Sequence, residues 1–153
     1  MRLQVRKAGP EDATAWDQFV ELHSSGSFFH LYDWHTVFER GLGHSTYYLL
    51  AEGAEGIEAV LPLVHTRSLL FGNTLSSLPF CTFAGTLASN PEARAVIEAR
   101  AVEIGQELGV GAVEFCLLAH GGRNRAVNAL YGVFTQHLDP EMTKNHESTH
   151  YKT

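Results

Sequence analysis

Leu3 and Val5 alternate with Arg2, Gln4 and Arg6, a period of two that predicts a short opening strand. Gly9-Pro10-Glu11-Asp12 then carries a helix-start signature, with proline and two acids in the first turn. Ala13, Trp16, Phe19, Val20 and His23 recur at helical spacing, and Ser24-Ser25-Gly26-Ser27 ends the stripe. A second helix is predicted over Leu31 to Arg40, with Leu31, Trp34, Val37 and Phe38 on one face and Gly41 as its C-cap. Thr46 to Glu52 reads as a strand, Gly53 to Gly56 as a hairpin loop, and Ile57 to Leu61 as the partner strand. That strand runs into Pro62, which has no N–H for a ladder and so predicts a sheet edge or a bulge.

A further strand is expected within Thr74 to Ala84. Asn90-Pro91-Glu92 supplies a cap residue, a proline and an acid, opening a helix whose buried stripe is Ala93, Ile97, Ala101, Ile104 and Leu108. Gly109 ends it. Val113, Phe115 and Leu117 alternate as a strand, a short helix is expected over Arg125 to Tyr131, and a last strand near Val133 to His137. Two helices between the first two strands, then antiparallel neighbours, set this order apart from a doubly wound parallel sheet. From Asp139 onward only Met142 and Tyr151 are there to bury, so residues 139–153 read as a polar tail or truncation point after one domain over 1–138.

Composition narrows the class. Hydrophobic residues make up 44% and charged residues 18% of 153 positions, which supports one globular domain with a real core. A net charge of −6 disfavours nucleic-acid binding by this chain, since phosphate contacts need clustered Lys and Arg. The N-terminus MRLQVRKAG has no apolar signal core, and no apolar run is long enough to span a bilayer. With two cysteines, Cys81 and Cys116, and no other mark of secretion, a reduced, cytoplasmic protein is expected.

The segment from Gly56 to Gly85 holds the most information. Its second half, through Phe71-Gly72 and Ser76-Ser77-Leu78-Pro79-Phe80, mixes apolar bulk with small residues and reads as a wall facing a substrate or a second domain. Together with PEDATAWDQFVELH, FFHLYDWHTVFERGLGH, YYLLAE and IEAVLPLVHTRSLLFG, it resembles the N-terminal half of FemAB-like proteins, in particular those associated with PEP-CTERM/exosortase exopolysaccharide systems. The resemblance covers Leu3 to Pro140. It implies an α/β fold of the GNAT (acyl-CoA N-acyltransferase) type, a mixed and mainly antiparallel sheet flanked by helices. It also implies acyl or aminoacyl transfer, with aminoacyl-tRNA or acyl-CoA as donor to the full-length protein and a saccharide or peptide envelope precursor as acceptor. Full-length members carry two such halves. This chain departs from them after Pro140, where EMTKNHESTHYKT replaces a basic segment, so a missing C-terminal half or a homodimer partner is expected. On this resemblance His30, Trp34, Arg67, Phe71, Ser76 and Ser77 line the acceptor side, with no catalytic base assigned and no cofactor held by the chain itself. Two other readings stay open: a non-catalytic binding or assembly module that dimerises, and an acetyl-CoA-dependent N-acetyltransferase.

Each residue also has a plainer reading. His30, Tyr32, Asp33, Trp34 and His35 cluster around the second helix, which flanks the acceptor groove on the resemblance; on the plainer reading Trp34 is core with the histidines at its rim, and Arg67 serves a surface ion pair instead of a phosphate or carboxylate. Gln106-Glu107-Leu108-Gly109-Val110-Gly111 matches the pyrophosphate loop Q-x-x-G-x-G, but a helix precedes it and a strand follows, the reverse of what phosphate binding at a helix start requires. Its glycines fit a helix cap and a tight turn. His146-Glu147-Ser148-Thr149-His150 matches H-E-x-x-H, yet it is polar on all faces and has no third ligand downstream, so no metal site is expected beyond adventitious binding. Cys81 and Cys116 have no nameable activating base and read as packed thiols. His120-Gly121-Gly122 has no G-x-S-x-G elbow to accompany it and reads as a turn.

Overall fold

A computed structural model describes residues 3–69, 72–79, 84–118, 131–137 and 146–151. Strand β1 (Gln4–Lys7) leads through a 3-10 turn (Pro10–Asp12) into helix α1 (Ala13–Leu22). A second 3-10 turn (Phe28–His30) precedes α2 (Trp34–Thr36), which widens at once into a π-helical turn over Val37–Gly41. The hairpin β2 (Ser45–Gly53) and β3 (Gly56–Ser68) follows, then β4 (Gly72–Ser77), the two-residue β5 (Leu87–Ala88), and helix α3 (Pro91–Leu108). Strands β6 (Ala112–Leu118), β7 (Tyr131–His137) and β8 (His146–Tyr151) complete the described chain.

One mixed sheet runs in the order β1-β2-β3-β4-β6-β7-β8, with β5 paired to β3. Every neighbour is antiparallel except β4 and β6. Those two lie parallel because α3 carries the chain back between them, the crossover a parallel pair requires. The molecule is thus an α/β domain with a mostly antiparallel open sheet flanked by helices, as the strand order predicts. No described helix is long and apolar enough to cross a membrane.

The period-two pattern divides the sheet's side chains between two cores. On one face Leu49, Leu61, Leu63, Leu75 and Val113 meet Ala93, Ile97, Ala101 and Ile104 of α3. On the other, Tyr48, Leu50, Val60 and Val64 meet Trp16 and Val20 of α1 and Tyr32 and Phe38 of the segment after it. Trp16 is fully buried, stacks on Tyr48 at 5.3 Å, and donates its indole N–H to the His30 carbonyl at 2.7 Å. Helix α3 matches its sequence signals: the Asn90 side chain accepts the Ala93 N–H at 2.8 Å, and Gly109 closes the helix at φ 65°.

Three expectations are corrected. The second helix expected over Leu31 to Arg40 begins only at Trp34 and is one short α-turn that runs into a π-turn ending at Gly41; a separate 3-10 turn, Phe28–His30, precedes it. Leu31 has extended backbone at ψ 144°, because His30 is drawn inward and the chain must turn before Trp34. Pro62 stands neither at a sheet edge nor at a bulge, but inside the 13-residue β3, opposite Tyr48. On the other side of β3, residues 59–60 pair with β5 and residues 63–68 with β4, so Pro62 sits at a gap in the ladder where a missing N–H does little harm. The region read as a polar tail carries β8, antiparallel to β7.

Candidate functional site

Strand β4 ends in an irregularity. Its ladder with β6 pairs Thr74, Leu75 and Ser76 with Ala112, Val113 and Glu114 and goes no further. Beyond it Ser77 takes over the work of the backbone: its Oγ accepts the Cys116 N–H at 2.8 Å. Leu78 follows with φ 38°, a left-handed conformation that a branched side chain rarely adopts, and its side chain is nevertheless fully buried. Pro79 adds to the strain, since a proline drives the residue before it toward extended backbone, and burial of the leucyl group in the α1-side core holds the turn against it. The β4–β6 ladder therefore ends near the carboxyl ends of its strands, with Ser77 as the last bridge, and the crevice outside such strand ends is where ligands bind in open α/β sheets.

Ser76 and Ser77 both lie at this notch and both are buried. Ser76 sits beside Val64 on the α1 side, and Ser77 beside Leu63 on the α3 side. Cys116 is the thiol nearest to them in the ladder; burial pushes its pKa up, so it stays protonated and is a poor nucleophile.

The other expected site residues fall elsewhere. His30 is buried, and both ring nitrogens are engaged: Nε2–H donates to the Gly85 carbonyl at 3.0 Å, and Nδ1 accepts the Ser27 N–H at 3.2 Å. Burial lowers its pKa to about 4, so the ring is neutral near pH 7. It fastens the turn before α2 to the segment leading into β5. Trp34 donates its indole N–H to the Phe28 carbonyl at 3.0 Å and packs on Phe28 and Phe29 at 5.5 Å each. Arg67 is exposed near the far end of β3, opposite Asn73. Asn73 and Ser77 are four residues apart on β4, so Arg67 stands about 13 Å along the strand from the notch. Phe71, Cys81, His120-Gly121-Gly122 and the short helix expected before β7 lie outside the described residues.

The two motif matches resolve in backbone terms. The Q-x-x-G-x-G segment is the end of α3, where Val110 N–H reaches back to the Gly105 carbonyl at 3.0 Å and Gly111 N–H bonds the Asn73 carbonyl at 3.0 Å. No helix starts there. The H-E-x-x-H segment is strand β8, so His146 and His150 are about 13 Å apart along the chain and do not share a helical turn. Among the described residues no group of three or more His, Cys, Asp or Glu is placed to hold a metal ion.

Among the described residues two hollows lie toward the β1 edge of the sheet, one on each face; Thr46 is in register with Val64 and Val64 with Ser76, so they stand level with the notch and two strands across from it. The larger, about 400 Å³, runs between β1, β2 and α3 over Val5, Tyr47, Leu49, Ile104 and Leu108. Its cations are engaged: Lys7 lies over the Tyr47 ring at 5.1 Å, and Arg100 bridges Glu103 and Glu107 at 2.9 Å each. The smaller, about 210 Å³, lies on the α1 side against Tyr32, His35, Glu39, Thr46 and Tyr48. The sequence groups Tyr32 and His35 around the second helix but shows neither the closure of this hollow by Glu39, Thr46 and Tyr48 nor the Ser77–Cys116 bond. The former depends on a π-turn and the latter joins positions 39 residues apart, so neither leaves a local pattern. The one readable trace was Leu78-Pro79, a residue restricted by the proline after it.

Compared with protein-family models, with curated proteins and with solved structures, the chain matches none.

Proposed function

We propose that this domain is the acceptor-side, N-terminal lobe of a FemAB-like acyl or aminoacyl transferase with a GNAT-type fold, working on a cell-envelope or exopolysaccharide precursor. The observation that carries the reading is the single parallel pair in an otherwise antiparallel sheet, whose ladder ends at Ser76 and Glu114. The end of that ladder offers main-chain groups to an extended, amide-bearing acceptor, which can pair there as an added strand does. An acceptor amine held at this edge is positioned to attack the carbonyl of a donor carried by a partner lobe, so rate comes chiefly from positioning. Resemblance over Leu3 to Pro140 supplies the donor class, and the −6 charge argues that any aminoacyl-tRNA is gripped chiefly by a partner lobe.

Amide hydrogen exchange tests this. A saccharide or peptide envelope precursor should slow exchange over residues 74–78 and 112–118 and leave β1 unaffected. Unchanged exchange with both kinds of precursor rejects the reading. Calorimetry with acetyl-CoA separates the acetyltransferase alternative, which requires measurable heat. The second reading, an assembly module that pairs with a second copy, is favoured by exposed Leu22 and Phe28, which are 89% and 68% accessible. A strict monomer by sedimentation at high concentration rejects that one.

A further inference from the structure

The smaller hollow is built unlike the rest of the surface. Its floor is buried and aromatic: Tyr48 is 2% and Tyr32 6% exposed, with ring centroids 5.7 Å apart and edge to face. His35 closes one side, 4.6 Å from Tyr32 and 6.0 Å from Tyr48. Its Nδ1–H donates to the Tyr32 carbonyl at 2.7 Å, so the ring is fixed in place and in tautomer. Glu39 stands at the rim. The π-turn over Val37–Gly41 turns it toward β2, where its Oε1 accepts the hydroxyl of buried Thr46. A π-turn is rarer and less well bonded than an α-turn and tends to persist where it places a functional group.

The charge around this hollow is one-sided. Glu11, Asp12, Asp33 and Glu39 all act on Tyr32, whose pKa is raised first by burial and then by these carboxylates. Asp12 is already neutralised by Arg6 at 2.7 Å, but no ion pair among the described residues engages Glu39. Lys7 also lines the hollow, but its ammonium lies 5.1 Å over the ring of Tyr47, which packs on the opposite face. Aromatic rings and one anchored carboxylate are the combination that takes an organic cation. A volume of about 210 Å³ is below the roughly 300–1,000 Å³ of a site for a whole drug-sized ligand, so it takes a head group. The carboxylate needs an N–H donor, which a quaternary ammonium lacks.

We propose that the hollow bounded by Tyr32, His35, Glu39, Thr46 and Tyr48 binds a primary ammonium group on a short aliphatic chain, with Glu39 as its counter-ion and the rings around its methylenes. The proposal does not rest on the transferase reading, because none of the residues lining the hollow belongs to the Ser77 notch, which stands two strands across at the same level.

The test uses the full chain and n-butylammonium chloride, followed by NMR. Saturable shifts of the Tyr32, Tyr48 and His35 ring signals in the millimolar range are expected, and n-butanol, of the same length but uncharged, should produce none. Tetramethylammonium should bind more weakly than butylammonium. Glu39→Gln, which keeps the Thr46 hydrogen bond, should weaken butylammonium by about tenfold. Glu107→Gln on the opposite face should not change it. Equal response to butanol, no saturation, or full affinity in Glu39→Gln overturns the proposal. The butanol comparison needs no variant, so it decides even if Glu39→Gln fails to fold.

Discussion

His30 shows how one residue sets a pH limit. Its folded pKa of about 4 lies below the ordinary value of 6.5, so the neutral ring stabilises the fold fully above pH 6.5. That contribution is lost as pH falls from 6.5 through 4, by up to about 1.4 kcal/mol per unit. Urea midpoints should therefore drop across this window, and His30→Gln, which can still donate to the Gly85 carbonyl, should flatten the slope. Asp12 works lower. The Arg6 guanidinium holds its carboxyl below the usual range, so its contribution is present above about pH 4 and fades only in stronger acid. Ser77 is a different case, since Ser77→Ala leaves the Cys116 N–H without its bond. We expect a loss of about 1–3 kcal/mol in urea denaturation. These roles were not legible in the sequence. His30 reads as a rim or groove residue until the Gly85 carbonyl is placed 55 positions away, and Ser77 reads as a small wall residue until β6 is brought beside it.

At the scale of elements, what was legible follows how local each signal is. Helix α3 was readable from end to end because its cap, its 3.6-residue stripe and its closing glycine are all contained in 20 neighbouring positions, 90–109. Asn90→Ala should cost about 1 kcal/mol through the lost cap, and Gly109→Ala about as much through its positive φ; thermal melts measure both. The second helix was misread because its apolar spacing fits a continuous helix, while the break comes from His30 and Trp34 bonding to distant or backward carbonyls. Pro62 was misread for a related reason. Its surroundings depend on where β3 changes partner from β5 to β4, which no window along the chain contains.

For the molecule as a whole, the sheet is a partition between two cores that share strands but not side chains. Ile97→Ala on the α3 side should cost about 2–5 kcal/mol, and Val20→Ala on the α1 side somewhat less, by the cavities they leave. Because the sites lie on opposite faces, the double variant should equal the sum to within about 0.5 kcal/mol. A larger discrepancy in urea titrations would mean that the two faces are coupled through the strands. The mixed, mostly antiparallel architecture was legible from element order alone. Which strands run parallel was not, since it depends on where α3 delivers β6.

Trp16 and Trp34 are the only indoles of the chain, and both belong to the α1 side. The protein thus carries a built-in optical reporter for one of its two halves. Emission should shift to the red when the stack of Trp16 on Tyr48 opens, while the far side stays dark throughout. Circular dichroism records both halves together. If the two signals are followed during the same melt and separate in temperature, the halves come apart in sequence, and a single transition free energy no longer describes the molecule.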